Sequence, residues 1–195
     1  MKTIKIITLI AIVILAISCK KENVNNNTVD NPNITHRILN KEIIAKADLT
    51  TEFSLIDIDN NGVDDFAVEL YLQKFSENVR LLGIPSGDAS LATTASSEDP
   101  YIIQNLAAKS KINTTSKDWS QLSFLSIYKN LPSIPLVDVG YAGKGDVLVG
   151  VQFLIDGNTH FGWLIINISS SRKYIIVKEV AYDIRPNVEI LAAEK

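Results

Sequence analysis

Apolar residues recur at every second position through much of this chain. Phe66, Val68, Leu70 and Leu72 alternate with Ala67, Glu69 and Tyr71, which predicts a strand with one face in a core and the other turned outward. Phe53 and Leu55 show the same alternation just before it and are expected on the core face of a preceding strand. Residues 147–155, 161–168 and 174–181 are rich in Val, Ile and aromatics, with apolar residues on both faces, as central strands show. Between the first two of these runs, Asp156-Gly157-Asn158-Thr159 predicts a tight hairpin.

The middle of the chain, residues 86–121, breaks the pattern. Ser, Thr, Ala and Asp predominate there, and only residues 101–112 carry enough apolar character for a short helix or strand. Strands, then a loop, then strands, without long intervening helices, predict an all-β chain: a single antiparallel β-sandwich, jelly-roll-like, with a long polar loop or short helix in the middle. The sandwich is expected over residues 36–195, and no internal repeat or second domain is visible.

The first residues follow a different rule. Lys2 and Lys5 precede residues 6–17, in which Thr8 is the one polar side chain. Twelve residues make a helix of about 18 Å, short of the ~30 Å hydrocarbon core, so residues 1–18 are expected to be an export signal rather than a spanning anchor. Ala16-Ile17-Ser18-Cys19 resembles the bacterial lipobox, in which the Cys becomes the lipidated first residue of the mature chain. Ala16 stands where that motif more often has Leu. Cys19 is also the sole Cys of the chain, so no disulfide competes for it. Residues 19–35 contain six Asn, one Pro and no aromatic, the composition of a flexible tether that cannot repay ordering by burial. The expected protein is an exported lipoprotein held to a membrane, the outer membrane, by its N-terminal acyl chains.

Composition narrows the functional classes. Of 195 residues, 46% are hydrophobic and 21% charged, enough to bury a core. There are 19 Lys and Arg against 22 Asp and Glu, or −3, and removal of residues 1–18 leaves 17 against 22, or −5. No global basic field exists to neutralise phosphates, so nucleic acid is not an expected partner. One Cys and two His exclude Cys/His zinc clusters.

One segment carries recognisable chemistry. Asp57, Asp59 and Asp65 fall at positions 1, 3 and 9 of a loop with Asn61 at 5 and Gly62 at 6, and Val63 at 7 would offer its backbone carbonyl. A hard cation such as calcium takes six to eight oxygens at about 2.3–2.6 Å, and alternate residues of a tight loop can aim inward while Gly takes the turn. Val68, not Glu, falls at position 12, so the loop is not an EF-hand; it resembles the nine-residue loops of FG-GAP repeats. A second reading is a plain hairpin in which Asn61-Gly62 supplies positive φ and the acids cap the turn. Mutual repulsion among the three acids, and export toward calcium-rich surroundings, favour a structural calcium ion.

Two stretches together resemble a loosely defined group of exported bacterial β-sandwich proteins. The first is Ser54 to Phe66, which matches the group's S-x-D-[IVL]-x-x-[DN]-G-x-x-D-F pattern from Asp57 to Phe66, with Ser54 one residue further from Asp57 than the pattern has it. The second runs from His160-Phe161-Gly162-Trp163 through Lys178-Glu179-Val180-Ala181-Tyr182 to Pro186 and Ile190. The Gly that usually follows the last Ile is replaced by Leu191-Ala192-Ala193. The resemblance implies a calcium-dressed sandwich at the cell surface and brings no catalytic residues with it.

Elsewhere, Trp163 is expected in the core beside Phe161 and Ile165, while Trp119, in the polar middle, is the candidate ligand contact, an aromatic face for a sugar ring. His160 is expected as a strand-end hydrogen-bonding group. No G-x-S-x-G or phosphate loop is present. The function expected is that of a non-catalytic, calcium-supported binding or structural module; the alternatives are a component that binds a glycan or surface polymer and a glycoside-cleaving hydrolase. For the anchor, Cys19→Ser should release the protein from membranes and abolish labelling by a fatty-acid probe. A variant that stays in the membrane fraction and still labels would remove lipidation from this reading.

Overall fold

The computed structural model describes residues 31–84, 89–93, 102–115, 118–133 and 135–195. The expected signal segment, Cys19 and the tether through residue 30 lie outside the described residues, as does part of the polar middle.

Six strands form one sheet in the order β1 (Ile34–Ile44), β12 (Tyr174–Asp183), β11 (Asn158–Ile168), β10 (Asp146–Ile155), β5 (Ser90–Thr93) and β7 (Asp118–Ser120). Five form a second, β2 (Thr50–Ile56), β3 (Phe66–Gln73), β4 (Ser76–Gly83), β8 (Leu122–Lys129) and β9 (Val137–Gly140). All pairings between these strands are antiparallel, and the sheets pack face to face as a β-sandwich. The described residues contain no helix. The described part of residues 101–112 pairs through bridges at Ile102 and Ile103, turns at residues 108–109 and pairs again in β6 (Lys111–Ile112).

The core between the sheets is built by the predicted alternation. Phe66, Val68, Leu70 and Leu72 of β3 are all buried, in one core with Val147, Val149, Val151 and Phe153 of β10. Phe153 meets Phe66 edge-on across the layers at 6.5 Å and Tyr182 at 5.5 Å, the geometry the aromatic quadrupole prefers. The hairpin between β10 and β11 pairs Ile155 with Asn158 and turns on Asp156 and Gly157, at φ 49° and 76°. Two positive φ values match the right-handed twist of the strands they join.

Three features depart from the pattern-based reading. First, Phe53 and Leu55 face outward, 67% and 38% exposed. The register sets them opposite Glu69 and Ala67, and Ile56 opposite Phe66, so the core parity of β2 belongs to Ile56. Second, β1 begins at Ile34 and the Asn31 amide donates to the Lys195 carbonyl at 3.0 Å, so residues 31–35 belong to the folded body rather than to the tether. Third, a second apolar cluster lies on the outer side of the six-stranded sheet. There β6 pairs with β13 (Ile190–Leu191), and Ile112, Ile190 and Ala192 cover Phe161, Trp163 and Ala181. Trp163 is fully buried, as expected, and its indole donates to the Glu194 carbonyl at 3.1 Å.

Arg172, at φ 57° in the turn between β11 and β12, ties the two sheets at one end. Its Nε donates to Ser126 Oγ at 2.8 Å, its guanidinium pairs with Asp138, and it lies over the Tyr128 ring at 5.1 Å. The contrast between the two faces of the smaller sheet is measurable. Phe66→Ala should cost about 3–5 kcal/mol of stability by opening a cavity, whereas Phe53→Ala should stay within about 0.5 kcal/mol. Urea unfolding of both variants checks the assignment, and equal losses would contradict it.

Candidate metal centre

The loop from Asp57 to Asp65 joins β2 to β3, and its two ends are fixed by the pairing of Ile56 with Phe66 and by the Asp65 amide, which donates to the Ile56 carbonyl at 2.9 Å. Residues 57–65 therefore close on themselves. Ile58 is fully buried and pulls the start of the loop against the core, while Asn60 and Gly62 take positive φ, 64° and 90°, to reverse the chain.

Closure brings three acids together. Carboxylate oxygens of Asp57, Asp59 and Asp65 lie within 4.8 Å of one another. Asp57 accepts the amides of Asn60 and Gly62 at 2.6 and 2.8 Å; Asp59 accepts the Asn61 amide at 3.1 Å and its side-chain N–H at 2.9 Å. Asn61 in turn accepts the Val63 amide through Oδ1 at 2.6 Å. Side chains that take the amide two residues on form Asx turns, which hold the alternate positions in one winding. Asp65 is 4% exposed and accepts the Ile58 amide at 2.7 Å.

The structure thus brings three of the five predicted site residues into one carboxylate cluster, Asp57, Asp59 and Asp65. Asn61 and Val63, both exposed, join the same winding by hydrogen bonds. Trp119 is elsewhere: half-buried on β7, with its ring against Phe161 at 6.1 Å, at the margin of the outer apolar cluster. His160 is buried at the start of β11, where its Nδ1 lies 2.9 Å from the Asp183 carbonyl.

Burial and mutual repulsion act on the same carboxylates. Burial, followed by the charges of Asp59, Asp57 and Asp64, pushes the Asp65 carboxyl up to about 6. Asp59 is also raised, by burial first and then by Asp57. Among the described residues, no Lys, Arg or His nitrogen comes within ion-pair distance of the three acids. The Arg37 guanidinium, on β1, donates instead to the Asn60 side-chain oxygen at 2.9 Å, to the Ile58 carbonyl at 3.0 Å and to the Asp57 carbonyl. It clamps the backbone of the loop and leaves the carboxylates unpaired. Nothing in the sequence singles out Arg37, which lies well before the loop.

The donor set is all oxygen, two aspartates at the rim and one at the floor. An ionised carboxylate has about four acceptor sites, so each keeps capacity beyond the bonds described. A hard divalent cation of the calcium type fits this set; a soft metal that prefers sulfur or imidazole does not. Comparison with known protein families, with curated proteins and with solved structures finds no match.

The Asp65 shift makes a prediction for the metal-free protein. Its carboxyl holds a proton more tightly folded than unfolded, where it returns to about 3.8, so its contribution to stability falls as pH rises from about 4 through about 6. Relative to Asp65→Asn, which cannot titrate, wild type with calcium chelated should lose about 2–3 kcal/mol between pH 4 and 7. Urea unfolding at a series of pH values checks this, and parallel curves for the two proteins would show that Asp65 ionises normally.

Proposed function

We propose that this protein is a lipid-anchored envelope or surface module, non-catalytic, whose β-sandwich is completed by a structural calcium ion in the loop 57–65. The observation that supports the ion is the convergence of three carboxylates, one of them buried, with no cationic side chain among the described residues within ion-pair distance of them. When bound, the ion would supply charge neutralisation. Asp57, Asp59 and Asp65 would hold it, with Asn61 and the Val63 carbonyl as further oxygens, and Arg37 keeps the loop docked on β1 from outside the cluster. Anchoring by Cys19 would place the module in an exported, calcium-rich setting, which suits the modest affinity of an open, solvent-facing loop.

The role is structural in this proposal because the loop connects two core strands. Neutralising Asp57, Asp59 and Asp65 would remove the repulsion that opposes closure and secure the Ile56–Phe66 pairing from which the smaller sheet starts.

Thermal unfolding with and without calcium tests the proposal. At about 1 mM calcium and a dissociation constant of about 10⁻⁴ to 10⁻³ M, binding to the folded state should stabilise it by about 0.4–1.4 kcal/mol, a rise of a few degrees in Tm. Asp57→Ala and Asp65→Ala should each erase the shift. Asp64→Ala should keep most of it, since Asp64 stands outside the carboxylate cluster. Identical melting curves in calcium and in chelator, for protein stripped of metal, would eliminate the ion and leave the hairpin reading.

A further inference from the structure

The two outer faces of the sandwich are finished differently. The six-stranded sheet is covered by the β6–β13 ribbon, whereas the five-stranded sheet presents Phe53 at 67% exposure and Leu55 and Leu122 at 38% each. Such a contiguous apolar face marks an interaction surface.

Its pattern identifies the occupant. Across β2, β3, β4 and β8 the register aligns Leu55, Ala67, Leu82 and Leu122 in one row, and Phe53, Glu69, Arg80 and Phe124 in the next. Each row reads nearly the same from either side of the line between β3 and β4. Apolar residues stand at both ends, and the one charged pair of the two rows, Glu69 with Arg80 at 2.7 Å, straddles the centre. A two-fold axis along that line, parallel to the strands, would lay β2 of one copy on β8 of another and β3 on β4. Phe53 then meets Phe124, Leu55 meets Leu122, small Ala67 meets Leu82, and Glu69 of each copy faces Arg80 of the other. We propose that this face is a self-complementary docking surface for a second copy of this chain, with a four-residue ring of alternating charge at its centre.

Charge complementarity favours a second copy over a sugar polymer or an unrelated protein, because this face carries both members of the charged pair, placed so that each would meet its opposite in a copy. Four strands at about 4.8 Å spacing and two rows about 7 Å apart, with side chains, make a patch roughly 20 Å by 13 Å, or about 500 Å² over both copies. That is below the ~1,200 Å² of stable complexes, so the pair is weak, with a dissociation constant on the order of 10⁻⁵ M. An axis parallel to the strands also keeps both Asn31 ends at the same end of the pair, as two tethers in one membrane require. This last point rests on the proposed lipid anchor; the face itself does not.

The test is sedimentation of the full chain in a mild non-ionic detergent, with two charge variants run alone and mixed. Wild type should pass from monomer to dimer as concentration rises through about 10⁻⁵ M. Glu69→Arg and Arg80→Glu each set like charges face to face and should weaken self-association about tenfold or more. Mixed one to one, they should recover the dimer, because the two introduced side chains then face each other with opposite charge, as do the two native ones. If either charge variant fails to fold by circular dichroism, Phe53→Asp at the exposed end of the same row should abolish the dimer while melting like wild type. A wild type that remains monomeric at about 10⁻⁴ M, variants that dimerise unchanged, or a mixture that does not recover would overturn the proposal. Binding of a glycan or other polymer to monomeric protein, lost in Phe53→Asp, would assign the face to that occupant instead. None of these results depends on Cys19 or on calcium.

Discussion

The pairing of Ile56 with Phe66 is the constraint from which both the smaller sheet and the acid cluster follow. Both side chains are buried, so the register between β2 and β3 cannot slip by one residue without turning the apolar set of one strand to solvent. With those ends fixed, the nine residues between them have little freedom. Ile58 is drawn into the core, Asn60 and Gly62 reverse the chain, and Asp65, one residue before Phe66, is carried below the surface with its carboxylate. Its burial is thus a consequence of packing next door. Three acids held this close in a partly desolvated loop store repulsion that the fold tolerates only because the surrounding core is large.

The same loop links the two sheets. β1 is an edge of the six-stranded sheet and β2 an edge of the five-stranded one, and their backbones do not pair with each other. Arg37 and Lys41 on β1 reach across that side of the sandwich and donate to the Asp57, Ile58 and Leu55 carbonyls. These contacts satisfy acceptors that an edge would otherwise present to another chain, and charged side chains at this seam discourage further strand addition. The far end is held by Arg172, which reaches from the β11–β12 turn to Ser126 and Asp138 of the other sheet. The sandwich is therefore fastened by arginines at its rim and by aromatics, Phe66 against Phe153, in its middle.

Its faces then serve different ends. On one side, the β6–β13 ribbon turns what would be an outer sheet surface into a second core around Trp163, and the Asn31–Lys195 hydrogen bond closes the ends of the described chain beside it. On the other side, apolar residues remain at the surface around the Glu69–Arg80 pair. A surface of that kind is stable in a monomer, because a small apolar patch is tolerated there, but its ordered rows give it a preferred partner geometry.

Local pattern was enough to show much of this. The alternation through Phe66–Leu72 identifies a strand and its core face, since a period of two has one solution when only one face is apolar, and the Val- and Ile-rich runs of β10 to β12, apolar on both faces, identify central strands. Asp156-Gly157 identifies a hairpin because few residues accept two positive φ values, and the spacing of Asp57, Asp59 and Asp65 identifies a loop that can converge on a cation. What escaped was set by partners distant in sequence. The outward facing of Phe53 and Leu55 follows from their register with Ala67 and Glu69, which their own alternation cannot reveal. The strand that starts at Ile34 follows an Asn-rich stretch and exists because β12 pairs with it, while Lys195 holds Asn31 just ahead of it. The role of Arg37 at the loop, and the roof that β6 and β13 place over Trp163, likewise depend on residues brought together only by the packing of the sheets. A single sequence records the preferences of neighbours, whereas register and layer contacts are decided by which long-range pairings bury the most apolar surface together.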